Sequence, residues 1–273
     1  MQLFHLYGLL IGIGVIVGVF VAEWAQKKLS KTNKNYGWFV VEELLLWSFP
    51  FALIGARAYH VVDLWDVYYK LFPSKIWAVW EGGLGIYGGI IGGTLGLFLF
   101  ALWKLWKQGE VDGVKRGRLA FIGLRMLLAA DLVAIAMPLG QAIGRLGNFV
   151  NKELFGAPTS LPWGVYIPQE LRPEMYLGSE YFHPLFFYES GLNLILFALM
   201  IWLVFKLVAF RRGFFLAVYL VGYGVIRFGL DYLRIEPWRM GVFTVAQWIS
   251  LLMIGVGCVM IIRNLDKLRF GKS

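Results

Sequence analysis

Long apolar runs broken by short charged clusters set the pattern of this chain. A helix crossing the bilayer core needs about 20 predominantly apolar residues. Seven runs approach that length, over roughly 3–23, 38–62, 84–103, 119–143, 185–208, 213–230 and 243–262. The pattern predicts an all-α polytopic membrane protein with seven transmembrane helices. It forms a single membrane domain over 1–273, with a small extracytoplasmic cap from segments about 63–83 and 144–184. The first run has no basic residues ahead of it and several behind it, so it reads as a retained helix rather than a cleaved signal. In "VVDLWDVYYKLF" (61–72), charges alternate with Trp, Tyr and Leu, which predicts a helix lying flat in the interface.

Composition supports this class. The chain is 59% hydrophobic and 16% charged, against about 25% charged in soluble domains. The formal net charge of +9 does not point to nucleic acid, because the basic residues form short clusters between apolar runs instead of one patch. Sixteen of the 26 basic residues fall after the first, third, fifth and seventh spans, and eight lie toward the other side. The positive-inside rule then places the N-terminus outside, the C-terminus in the cytoplasm and residues 144–184 on the outer face. The single cysteine, Cys258, sits in the last apolar run and reads as small apolar filler.

Four polar groupings interrupt the apolar background. In "YGVIRFGLDYLR" (223–234), Tyr223, Arg227, Asp231 and Arg234 share one helical stripe. One carboxylate cannot neutralise two arginines, and guanidinium groups suit phosphate. In "GRLGNFVNKELFGAPTSLPWGV" (144–165), Arg145 and Asn148 stand three apart, with Asn151 or Lys152 one turn on if the fourth span continues to about 150. Glu153 is the natural counter-ion candidate for Arg145, and Gly144 and Gly147 suit close approach of another backbone. In "HPLFFYES" (183–190), His183 precedes a helix start, and Glu189 inside a span requires an arginine partner. In "GARAYH" (55–60) and "EGGLGIYGGIIGG" (81–93), Arg57 lies deep in the second span, Tyr87 sits among glycines, and the glycines allow tight helix packing or close approach to a ligand. Tyr7 follows His5 near the start.

No HExxH or CxxC motif is present, and the three histidines are widely separated, so neither metal nor cofactor is expected. An enzyme built on these groups takes its nucleophile from a substrate and supplies a base and cationic stabilisation of a phosphate. A phospholipid or anion transporter would also use inward arginines, with some internal symmetry.

These motifs, taken in order, resemble the prolipoprotein diacylglyceryl transferase family over nearly the whole chain. The long GRxGNFxNxExxG run is the most specific part. The resemblance implies transfer of the diacylglyceryl group of phosphatidylglycerol to the lipobox cysteine of a prolipoprotein, forming a thioether and releasing glycerol 1-phosphate. The implied setting is the bacterial plasma membrane, with membrane lipids as surroundings and no nucleic acid. The family's important residues fall here on Tyr7, Arg145, Asn148, Glu153, Gly156, Tyr223 and Arg227. Tyr87 stands where some members have a histidine, which leaves Glu153, Tyr87 and His183 as candidate bases. Arg57, Glu189, Asp231 and Arg234 complete the expected substrate-binding set.

Overall fold

A computed structural model describes residues 2–38, 41–107, 118–235 and 237–271. Its helices are α1 (Gln2–Thr32), α2 (Val41–Asp63), α3 (Ile86–Lys107), α4 (Arg118–Asn151), α5 (Leu185–Lys206), α6 (Phe214–Asp231) and α7 (Val245–Ile262). Among the described residues, seven helices are long and apolar enough to cross a membrane, so the chain is a multi-pass membrane protein. Helix α1 runs past the apolar stretch predicted for it. Its extension buries Ala25 and Leu29, and Lys27 pairs with Glu23. Helix α4 likewise continues to Asn151, carrying the polar run with it.

The chain divides into two compact units, Gly37–Ala129 and Met1–Tyr36 with Ala130–Ser273. In the first, α2 and α3 pack backbone against backbone. A Cβ on Gly92 would lie 2.0 Å from the Phe51 carbonyl oxygen, and one on Gly88 2.1 Å from that of Gly55. Of the two roles the sequence allowed these glycines, tight helix packing is the one Gly88 and Gly92 fill. Gly92→Ala should therefore cost about 1–3 kcal/mol, read as a lower melting temperature in detergent. Gly93→Ala, whose Cβ would only touch that of Ala52 at 3.5 Å, should leave it unchanged.

A single helix over 61–72, as the pattern predicts, does not form. Helix α2 runs on to Asp63, and only a wide helical turn, Trp65–Tyr69, follows. Arg57 explains the folded-back path. Its Nε donates to the Ile76 carbonyl at 2.8 Å, and its Nη1 to those of Gly82 (2.6 Å) and Gly83 (3.0 Å). Its Nη2 donates to the Lys75 carbonyl. The guanidinium also stands over the Tyr69 ring, which is itself buried. A buried cation thus ties down backbone carbonyls of the loop that follows α2.

In the second unit, α1 and α4 run antiparallel, with Gly14 beside Gly140 and Gly18 beside Ala136. This register brings the Tyr7 end of α1 to the Arg145 end of α4. Small residues also bring α6 and α7 together: Gly257 faces the Ala217 carbonyl, and Gly224 that of Ser250. At the far end of α6, buried Asp131 accepts from the Gly213 and Leu216 N–H groups and from the Tyr36 hydroxyl, at 2.7, 2.9 and 2.7 Å. The carboxylate thus satisfies N–H groups that the first turn of α6 leaves unpaired. Burial, then the neighbouring Asp131, push the Tyr36 phenol well above its ordinary pKa, so its proton remains available to donate.

Residues 152–184 form a small cap in which short extended pieces line up. Strand β1 (Val165–Tyr166) pairs with β2 (Tyr181–Phe182). Phe182 also bridges to Pro158, and Gly156 to Arg234 beyond α6. Ile167 and Phe182, both within this segment, are fully buried. Four further strands are described: β3 (Leu207–Ala209), which pairs with β6 (Arg269–Phe270), and β4 (Arg239–Met240), which forms a hairpin with β5 (Phe243–Thr244).

Candidate functional site

The polar faces of α4, α5 and α6 meet inside the second unit. Arg145 Nη2 donates to Glu189 Oε1 at 2.6 Å, and its Nη1 to Asn148 Oδ1 at 3.1 Å. Glu189 also accepts from the Tyr223 hydroxyl at 3.2 Å. Asn148 passes the network outward, its Nδ2 donating to Glu153 Oε1 at 2.8 Å. Helical spacing explains the convergence: Arg145 and Asn148 are i,i+3 on α4, and Tyr223 and Arg227 are i,i+4 on α6. Glu189 is buried, whereas Glu153 is exposed at the rim.

The counter-ion of Arg145 is therefore Glu189, not Glu153. The sequence places Glu153 nearer, but it lies beyond the helix end. Lys152 and Leu154 on either side of it have φ of 53° and 56°, a left-handed conformation costly for non-glycine residues. That turn aims the carboxylate at Asn148 and Asn151 and leaves Lys152 over the Phe149 ring. Among the described residues, Gly144 has no other backbone against it: a Cβ there would meet nothing within 4 Å.

Arg227 is held differently. Its Nη2 lies 3.6 Å from Asp231 Oδ1, beyond hydrogen-bond length. Arg234 follows at the end of the stripe. Burial, and then the Arg227 guanidinium, hold Arg234 below the ordinary arginine pKa, with a further contribution from Arg145. The hydroxyl of Tyr223 lies in the fields of both Arg145 and Arg227. Three guanidinium groups thus share one region with two buried carboxylates, Glu189 and Asp231, an arrangement whose positive excess favours an anion.

Gly156 and His183 frame this region through the backbone. The Gly156 N–H donates to the His183 carbonyl at 2.8 Å, and the Ala157 N–H to that of Leu233, also at 2.8 Å. The His183 ring approaches the Tyr188 hydroxyl at 3.3 Å, and that hydroxyl accepts from Trp163 Nε1 at 2.7 Å. Tyr87 and Arg57 belong to the other compact unit, where Tyr87 is half exposed beside Tyr59 and the Arg57 donors are occupied as described. Tyr7 is in α1, and its side chain lies outside the described residues.

Several participants were not anticipated. One turn deeper than the charged tier, Gln141 Nε2 donates to the Tyr219 hydroxyl at 2.9 Å, and the Tyr219 ring stacks on that of Tyr223 at 5.6 Å and 2°. Asn193 and Ser190 are buried on α5. The signal was available, because Gln141 and Tyr219 sit four residues before Arg145 and Tyr223 and extend the same polar faces. Thr244 and Gln247 form a capping box at the start of α7, and the T-x-x-Q spacing announces it.

A sequence profile of the family described as prolipoprotein diacylglyceryl transferase matches residues 2–263. A Nostoc protein named phosphatidylglycerol–prolipoprotein diacylglyceryl transferase is 40% identical over 255 residues, which cover 92% of this chain and 82% of that one. A protein of the same name from Synechococcus elongatus is 35% identical over 261 residues, covering 92% and 80%.

Proposed function

Because the chain belongs to the prolipoprotein diacylglyceryl transferase family, we propose that it moves the diacylglyceryl group of phosphatidylglycerol onto the lipobox cysteine thiol of a prolipoprotein. The observation that carries this reading is the contrast between the arginines. Arg145 is pinned by Glu189 and Asn148, while Arg227 makes no hydrogen bond among the described residues and keeps its donors for a ligand.

In this reading phosphatidylglycerol enters from the outer leaflet, and its phosphate lies between Arg145 and Arg227, with Arg234 adding positive charge. The cysteine thiolate attacks the glyceryl carbon bonded to the phosphate oxygen. A C–S bond forms and the C–O bond breaks, with the electron pair leaving on glycerol 1-phosphate. Negative charge grows on that oxygen, so fixed guanidinium donors stabilise the transition state more than the ground state. The thiol must first lose its proton. Glu189 is unsuited to take it, being buried and paired with Arg145. Glu153 and His183 stand at the rim, and Tyr87 remains the third candidate. The N-terminus and the cap face the outer side, and the C-terminus faces the cytoplasm.

Purified protein supplied with phosphatidylglycerol and a lipobox peptide should add the mass of one diacylglyceryl group to the peptide cysteine, with release of glycerol 1-phosphate. A peptide of unchanged mass, with lipid moving between leaflets instead, would support transport and end the transferase reading.

A further inference from the structure

We infer that Thr244 is a positioning residue for Arg227, acting through Asp231, so that Arg227 is held on a loose electrostatic tether rather than in a closed ion pair. The inference rests on the transferase reading, in which Arg227 meets the lipid phosphate.

Thr244 caps α7, its Oγ1 accepting from the Gln247 N–H at 3.0 Å while the Gln247 side chain accepts from the Thr244 N–H at 3.0 Å. While the Thr244 oxygen accepts from the helix, its O–H donates to Asp231 Oδ2. Thr244, Gln247 and Asp231 are all nearly inaccessible to solvent, so water does not compete for these bonds. The capping box therefore fixes where the Asp231 carboxylate sits.

Only the second oxygen is left to face Arg227. Asp231 Oδ1 is buried and without a hydrogen-bond partner among the described residues, and Arg227 Nη2 stops 3.6 Å from it. A free carboxylate beside a guanidinium would close into two short parallel bonds. Here Thr244 holds it back. The Arg227 donors stay unengaged, yet the nearby negative charge keeps the side chain in place. Arg145, by contrast, is bonded to Glu189 at 2.6 Å. The site thus pairs one fixed guanidinium with one that can close on an arriving anion.

Removing the hydroxyl should let Asp231 swing onto Arg227 and compete with the lipid phosphate. In a mixed-micelle transfer assay, Thr244→Val should raise the KM for phosphatidylglycerol about tenfold, with a smaller fall in kcat. Thr244→Ser, which keeps both hydrogen bonds, should stay within about twofold of the parent protein. Asp231→Asn removes the tether's charge but leaves Thr244 able to cap α7, and should also raise KM. Combining Thr244→Val with Asp231→Asn should raise KM no further than Asp231→Asn alone, because both changes act on one chain of contacts.

A mere capping role would lower the melting temperature of Thr244→Val without moving KM, and that result overturns the inference. So does an unchanged KM in Asp231→Asn, a readout that survives if the valine variant does not fold. If the parent protein shows no transfer at all, the transferase reading fails. The tether is then judged by whether Thr244→Val weakens phosphatidylglycerol binding, measured as the lipid's stabilisation of the protein against heat. Equal stabilisation of both proteins overturns it.

Discussion

Arg145→Lys should lower kcat/KM for diacylglyceryl transfer by about a hundredfold to a thousandfold, the usual effect of removing one fixed donor from a developing negative charge. The charge survives this change, but the fork does not. Arg145 spans Glu189 and Asn148 with two different nitrogens, and a lysine ammonium is a single point on a flexible stem. Bonded to Glu189, it cannot also hold Asn148 and present a donor to the phosphate in one plane. Asn148 would then lose a partner, and Glu153 the shorter of its two contacts, since Asn148 donates to that carboxylate at 2.8 Å and Asn151 at 3.5 Å. Lysine is the informative replacement, because alanine would leave Glu189 buried and unpaired at a cost of about 3–5 kcal/mol, confusing instability with lost chemistry. Arg227→Lys should be milder, its existing contact being a 3.6 Å attraction that an ammonium can reproduce. The check is the rate of peptide mass gain for both variants at matched amounts of folded protein. Arg145→Lys working within twofold of the parent would remove the guanidinium fork from the mechanism.

Much of this architecture was legible because lipid imposes a coarse rule. Every backbone polar group in the hydrocarbon must be satisfied within its own helix, so apolar length alone located seven spans. The α6 stripe was legible for a related reason: a helix otherwise built of Val, Ile, Phe and Leu has one face for Tyr223, Arg227 and Asp231, and it must turn inward. Local rules failed where pairing is long-range. Glu153 lies eight residues from Arg145 and looks like its partner, whereas Glu189, 44 residues away, reaches it because α5 packs its polar face inward. The stretch 61–72 has the amphipathic pattern of an interfacial helix, but Arg57 gathers the backbone carbonyls beyond it and turns the chain. Nothing in the periodicity of α2 marks Arg57 as a clamp for the backbone carbonyls of residues 75–83. Thr244 shows an intermediate case, since its capping role is written in the sequence while its second partner, Asp231, is not.

Gly156→Ala should reduce transfer by about a hundredfold or more, although the residue carries no functional group. A Cβ at this position would lie 2.7 Å from the Leu233 carbonyl oxygen, 2.9 Å from His183 Cβ and 3.0 Å from Leu185 Cγ. The first is backbone, fixed by the Ala157 N–H that donates to it, so relief requires the strands to separate. That separation moves the chain bearing Arg234 on one side and the His183 corner on the other, because Gly156 bridges to Arg234 and donates to the His183 carbonyl. Displacements near 1 Å at a catalytic centre can cost about a hundredfold in rate, while overpacking of this kind costs only about 1–3 kcal/mol in stability. The two effects are separable. Gly156→Ala should insert, accumulate and melt only modestly lower, yet transfer poorly. Gly255→Ala, where a Cβ meets nothing within 4 Å, should match the parent in both respects. If Gly156→Ala transfers normally, the cap does not set the positions of Arg234 and His183, and the geometry of the rim carries no part of the reaction.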